Sequence, residues 1–156
     1  LVDLGAISLR FPCQTLPGLG SRPAFPNETQ TWAPIVNIRL SYRHSPPTKS
    51  IACWIDSGAD ACIFHAGICH SLGIRRLEDG VKDYLQGVTG GPSGLLYFHK
   101  IKVFVFGESF ETMAGFSPDI VVTGLLGRRG FFDNFVVKFD ASTSPPYCEI
   151  EKIHRA

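Results

Sequence analysis

IACWIDSGADACIFHAGICHSLG, residues 51–73, sets two apolar runs on either side of a short loop that carries two carboxylates. Ile51 to Ile55 has the apolar, β-branched character of a buried strand, and Ala61 to Phe64 is a second such run. Between them stand Asp56-Ser57-Gly58-Ala59-Asp60. A loop pinned between two core strands is not free to face water, so its carboxylates need partners. Two readings of Asp56 stand side by side: an Asx turn that ends the strand, and a carboxylate presented for chemistry. Downstream, Phe64, Ile68 and Leu72 fall at helical spacing. The helix is expected from near His65 to Gly73, where glycine is a good stop.

An apolar pair followed by Asp-Ser-Gly-Ala-Asp resembles the active-site loop of the retropepsin-like, retroviral-type aspartic proteases and their bacterial relatives. Ser57 stands where that family has Thr or Ser. A second element strengthens the resemblance. Ile120 to Asp140 reads as strand, turn and strand, and within it Leu125-Leu126-Gly127-Arg128 matches the family's apolar-apolar-Gly-Arg element, which cradles the Asp loop. The resemblance implies that Gly127 crosses close beneath that loop and that Arg128 pairs with Asp60, bidentate if the geometry allows. The alternative is a surface arginine beside Arg129. Between the two motifs, Gly87 to Gly94 holds four glycines in eight residues. A phosphate-binding loop would need a lysine and a following helix. Here a β-rich stretch, Leu95 to Phe106, follows, so the glycines tip a hairpin. The hairpin is either a plain flexible turn or, as the family implies, the flap that closes over a peptide.

At 156 residues the chain has room for one domain with an ordinary core. Its formal net charge of +1, with no basic or acidic block, gives no support for nucleic-acid or membrane binding. No apolar run approaches the roughly 20 residues of a membrane span. Five cysteines form no compact framework, and Cys53 and Cys62 read as buried thiols. Cys69-His70 with His65 lacks the paired spacing of a metal site, so no metal or cofactor is expected. Asn27-Glu28-Thr29 is a glycosylation sequon and is read as accidental. The chain begins at Leu1 rather than Met, which reads as a fragment, a processed form or a trimmed chain and leaves an upstream signal or anchor open. Localisation is left open, with a soluble intracellular protein as the working expectation.

Residues 1–33, rich in Pro and Gly, read as an N-terminal arm or extension in which only Leu4 to Phe11 can be a strand. The arm either wraps a sheet edge or serves as a dimer arm or pro-segment. Residues 34–156 read as the domain proper. Pro34 to Arg43 alternates, with Val36, Ile38, Leu40 and Tyr42 on one face. His99 is expected on the surface and Tyr147 to Ile153 as a last strand.

The resemblance implies an all-β, closed barrel-like lobe with one short helix and a glycine-tipped flap. Only one Asp-Ser-Gly is present, since Asp79-Gly80 lacks the intervening hydroxyl residue. It therefore implies an aspartic endopeptidase active as a homodimer in acidic solution. Asp56, Ser57 and Gly58 would be the catalytic triplet. Gly58, Ala59, Asp60, Val88, Gly90, Gly91 and Leu126 would bind an extended peptide, with Leu95 adding to apolar pockets. Two other functions fit the same residues: a catalytically silent dimerisation or peptide-binding module, and a protease acting mainly in self-processing.

Overall fold

The computed structural model of the protein describes residues 8–18, 22–88 and 90–155. The chain divides into two compact units, one of Val36–Asp133 and one of Leu1–Ile35 with Asn134–Ala156. In chain order the strands are β1 (Ser8–Pro12), β2 (Gln14–Pro17), β3 (Gln30–Ala33), β4 (Ile35–Ser41), β5 (Ile51–Ile55), β6 (Ile63–His65), β7 (Val81–Gln86), β8 (Pro92–Val105), β9 (Glu108–Ser117), β10 (Gly124–Leu126), β11 (Phe135–Asp140) and β12 (Tyr147–Lys152). A single-turn helix, α1 (Cys69–Leu72), lies between β6 and β7. The protein is therefore mostly β with one short helix. Among the described residues no helix is long and apolar enough to cross a membrane.

In the Val36–Asp133 unit the sheet order is β4-β5-β10-β6-β9-β8-β7, and β4 also pairs with β8. The alternation expected in β4 is present: Val36, Ile38 and Leu40 are buried while Asn37 and Arg39 face out. On β8, His99, Ile101, Val103 and Val105 face the core, and Lys100 and Lys102 are exposed. Phe64 and Phe116, both fully buried, meet at 5.8 Å between ring centroids, and Leu126, Ile38 and Leu40 are fully buried as well. Each such side chain contributes about 1.5–3 kcal/mol by leaving water. Gly73 adopts a left-handed φ of +77° and ends α1, its N–H bonding to the His70 and Cys69 carbonyls.

Three details differ from the sequence reading. His99 is 5% exposed rather than on the surface. The odd-numbered face of β8 is the core face, and the imidazole's polar atom is met there: Nε2 lies 2.9 Å from the Leu77 carbonyl oxygen. Tyr42 and Phe116 pack edge-on against the ring. Second, the strand read from Ile120 is only the three residues of β10. Third, Gln14–Pro17 and Gln30–Ala33, read as loop, pair antiparallel as β2 and β3.

In the other unit β12 lies between β1 and β11, antiparallel to both. Cys148 and Ile150 of β12 and Phe135 of β11 are buried. Of the strand expected at Leu4 to Phe11, the part before Ser8 lies outside the described residues.

Candidate active site

The Asp loop leaves β5 where β10 runs alongside it in parallel, with Leu126 opposite Ile55. The Asp56 N–H donates to the Leu126 carbonyl at 3.1 Å, which fixes the point of departure. The loop then closes on itself. Asp56 Oδ1 accepts the Gly58 N–H at 2.8 Å, and the Asp56 carbonyl accepts the Ala59 N–H at 3.2 Å. This is an Asx turn. Asp56 itself is half-buried, and Ser57, Gly58 and Asp60 are exposed.

The chain after β10 passes directly under the loop. A Cβ on Gly127 would stand 2.2 Å from the Ala61 carbonyl oxygen and 2.8 Å from that of Ala59, so only glycine fits the crossing. The crossing is stitched by backbone bonds, Arg128 N–H to the Ala59 carbonyl and Arg129 N–H to the Asp60 carbonyl, each 2.9 Å. Above it, Arg128 spans the loop: Nη1 donates to the Ser57 carbonyl at 3.3 Å and Nη2 to Asp60 Oδ1 at 3.4 Å. Arg129 Nε lies 3.6 Å from Asp60 Oδ2. The Asp60 carboxylate is thus shared between two arginines rather than held by a bidentate fork from one.

Asp56, Gly58, Ala59 and Asp60 form one wall of a cleft of about 810 Å³. The opposite wall is the β7–β8 hairpin, contributing Asp83, Leu85, Val88, Leu96 and Phe98. The structure thus brings Asp56, Gly58, Ala59, Asp60 and Val88 together, while Ser57 is exposed and does not line the cleft. Gly90 and Gly91 sit beyond, at the hairpin end, with left-handed φ of +76° and +79°. Leu126 does not line the cleft: it is fully buried, and Leu125 lines it instead. The reason is strand alternation. Leu125 sits opposite Ile63, another lining residue, whereas Leu126 turns with Ile55 into the core. Leu95, opposite Tyr84, likewise lies on the other sheet face from the lining residue Leu96. Phe98, Leu96, Asp83 and Leu125 are cleft residues that reading the sequence did not single out. The period-2 pattern of β8 held the signal for the first two.

His65 is occupied locally, its Nδ1 accepting the Gly67 N–H at 3.0 Å. Of the thiols, burial pushes Cys53 up to about 12, and Cys62 up to about 11.

No protein-family model and no curated protein matches the chain. Among solved structures it is similar to a retropepsin-like aspartic protease from Rickettsia conorii, at 13% identity and a TM-score of 0.55, over 97% of this chain and 98% of that one. It is also similar to the EIAV protease complexed with the inhibitor HBY-793, at 21% identity and a TM-score of 0.43, over 62% of this chain and 82% of that one. A third likeness is to the retroviral protease-like domain of Ddi1 from Leishmania major, at 13% identity and a TM-score of 0.39, over 60% of this chain and 71% of that one. The near full-length likeness to the Rickettsia protein identifies the fold as retropepsin-like.

Proposed function

We propose that the protein is an aspartic endopeptidase, active as a homodimer with one Asp56 from each protomer, and that residues 34–156 form its protease domain behind an N-terminal arm of residues 1–33. The observation that carries the reading is the Asp56 loop. It opens on a cleft, it sits on a retropepsin-like fold, and it is underpinned by a glycine crossing that admits no side chain. Such a loop holds a carboxylate at a fixed place beside a space wide enough for an extended chain.

One carboxylate cannot act as acid and base together. Two held side by side cannot both ionise, so they share a proton and one of each form coexists. One Asp56 takes a proton from a water between the pair, and the other donates to the scissile carbonyl oxygen. No covalent intermediate, metal or organic cofactor is required. The β7–β8 hairpin acts as the flap, with Gly90 and Gly91 letting it close and exclude water. Backbone groups of Gly58, Ala59 and Asp60 pair with the peptide strand-fashion, and Val88 and Leu125 favour apolar side chains near the cleavage point. Leu126 supports the loop from below.

A second reading, a silent dimerisation or peptide-binding module, draws on the Asx turn, because one Asp56 oxygen already serves the loop. Asp56→Asn separates the two. An amide oxygen still accepts the Gly58 N–H, so the loop stays formed while the acid is lost. Cleavage of an apolar decapeptide should vanish while sedimentation still reports a dimer. Wild type that dimerises but cleaves no peptide in acidic or neutral solution would leave the module as the better reading. The self-processing alternative predicts cleavage of a precursor joined in cis and none of added peptide.

A further inference from the structure

The hairpin wall of the cleft, which also holds Tyr84 and Gln86, carries one charged residue among those described, Asp83. The β7–β8 register sets Val81 opposite Phe98, Asp83 opposite Leu96 and Leu85 opposite Gly94. Residues directly opposite one another share a sheet face. Leu96 is 3% exposed, and it lines the cleft together with Phe98, Leu85 and Asp83. Among the described residues three carboxylates line this cleft and no lysine or arginine does. Asp60 is paired with Arg128 and Arg129, and Asp56, whose Oδ1 accepts the Gly58 N–H, is the carboxylate proposed for the dyad. Asp83 has no cation within ion-pair range among the described residues. Its Oδ1 accepts the N–H of the next residue, Tyr84, at 2.8 Å. While the cleft holds water, such a carboxylate is cheap. Once an extended chain fills the cleft, the carboxylate loses hydration and needs a positive partner.

We propose that Asp83 is a specificity-determining residue, selecting peptides that carry a Lys or Arg beside the apolar residues at the cleavage point and disfavouring acidic side chains there. The assignment rests on the protease reading. The test uses an apolar decapeptide scanned with Lys, Met or Glu at each position. Wild type should cleave the Lys peptide about tenfold faster in kcat/KM than its Met counterpart at one position, as expected for a charge-assisted hydrogen bond. Asp83→Asn should lose this preference and Asp83→Lys should favour the Glu peptide. The same fluorescent peptides are titrated against Asp56→Asn, so that binding is read without turnover. Charge-dependent binding with no cleavage by wild type would sink the protease reading alone. Cleavage or binding indifferent to the charge, or a Lys preference that survives in Asp83→Lys, would overturn the role of Asp83.

A separate observation lies in the unit that holds both chain ends. Cys13 follows β1 and Cys148 lies on β12; both are buried, and their Sγ atoms are 3.5 Å apart. The Cys13 N–H is anchored on the Pro146 carbonyl at 2.8 Å. A disulfide requires about 1.5 Å of further approach, within reach of side-chain rotation. We infer that this pair is an oxidation site, joining the first and last strands when a disulfide reagent such as oxidised glutathione is present. Cys13 is 8% exposed and Cys148 fully buried, so Cys13 is the sulfur first reached. Its thiolate attacks one glutathione sulfur and expels a glutathione thiolate. Burial and the contact with Cys13 push the Cys148 thiol up to about 12, so the treatment is run in alkaline buffer to supply its thiolate. That thiolate attacks Cys13 Sγ and expels the second glutathione thiolate, so two electrons pass to glutathione and the two thiol protons balance the two thiolates expelled. Folded protein is treated with oxidised glutathione and digested without reduction for mass spectrometry. A Cys13–Cys148 cross-linked peptide, two hydrogens lighter than its parts, is expected, with Tm raised by about 5 °C or more. Both signals should be absent in Cys13→Ser. Thiols that stay free, glutathione retained on Cys13, or a bridge to another cysteine would overturn the inference.

Discussion

Gly127→Ala asks whether the Asp loop is held by backbone close approach or by its ion pairs. The new Cβ would lie 2.2 Å from the Ala61 oxygen, 2.5 Å from the Ala61 carbonyl carbon and 2.8 Å from the Ala59 oxygen. All three are backbone atoms, so no side chain can rotate away and one segment must move. Movement loosens the three bonds that join the segments: Asp56 N–H to Leu126, Arg128 N–H to Ala59 and Arg129 N–H to Asp60. Overpacking costs about 1–3 kcal/mol, and each weakened bond adds up to about 1 kcal/mol. A loss of about 3–5 kcal/mol follows. Arg128→Ala, by contrast, removes contacts of 3.3 and 3.4 Å from an exposed side chain. Solvent screening holds its effect to about 1 kcal/mol or less. Urea unfolding at one protein concentration, followed through Trp32 and Trp54, measures both. The reasoning is refuted if Gly127→Ala unfolds within about 1 kcal/mol of wild type, or if Arg128→Ala proves the costlier change.

Three other outcomes are expected. Burial raises Cys53 to about 12 and Cys62 and Cys69 to about 11, from an ordinary 9.0. These thiols should resist iodoacetamide in folded protein at neutral pH and label fully in urea. The unfolded chain releases these protons first. Stability should therefore be intact below about pH 9 and fall as pH rises toward 12; a urea midpoint that stays flat across that range speaks against it. The Ser142 hydroxyl and N–H both donate to Asp140, holding its carboxyl below the ordinary 3.8. Carboxyl NMR should show Asp140 titrating low in wild type and moving upward in Ser142→Ala, and an unchanged titration would contradict the assignment. His99→Leu removes the 2.9 Å bond to the Leu77 carbonyl, which keeps the Gly80 N–H at 3.1 Å. Calorimetry should record a loss of about 1 kcal/mol, whereas a surface histidine would give almost none.

What could be read from the chain divides along a physical line. Turn chemistry is local, so the end of β5 at Asp56 and the stop at Gly73 were legible as residue types, whereas the crossing at Gly127 is a long-range contact that only the family resemblance implied. Strand alternation is local too, but it says only which residues share a face. Which face is the core depends on the neighbouring strands. His99 and Leu96 show the difference: three residues apart on β8 and both buried, they point to opposite faces, one to the core and one to the cleft. Leu125 and Leu126 are the same problem in miniature, because a strand of three residues is too short to display a period. β2 and β3 escaped notice because each is a four-residue strand, mostly exposed, in a stretch dominated by Pro and Gly. The cleft sharpens the point. Its wall residues come from β6, β7, β8, β10 and the Asp loop, and only the register among them reveals that Asp83 faces the same space as Asp56. The need for a second copy, in the function proposed for this chain, is legible in another way. It follows from counting a single Asp-Ser-Gly, since one carboxylate cannot hold and accept a proton at once, and a count carries no geometry. The distance between two Asp56 side chains in the assembled protein is therefore the measurement on which that reading turns: carboxylates beyond hydrogen-bond reach of a shared water, in a molecule that still cleaves peptides, would refute it.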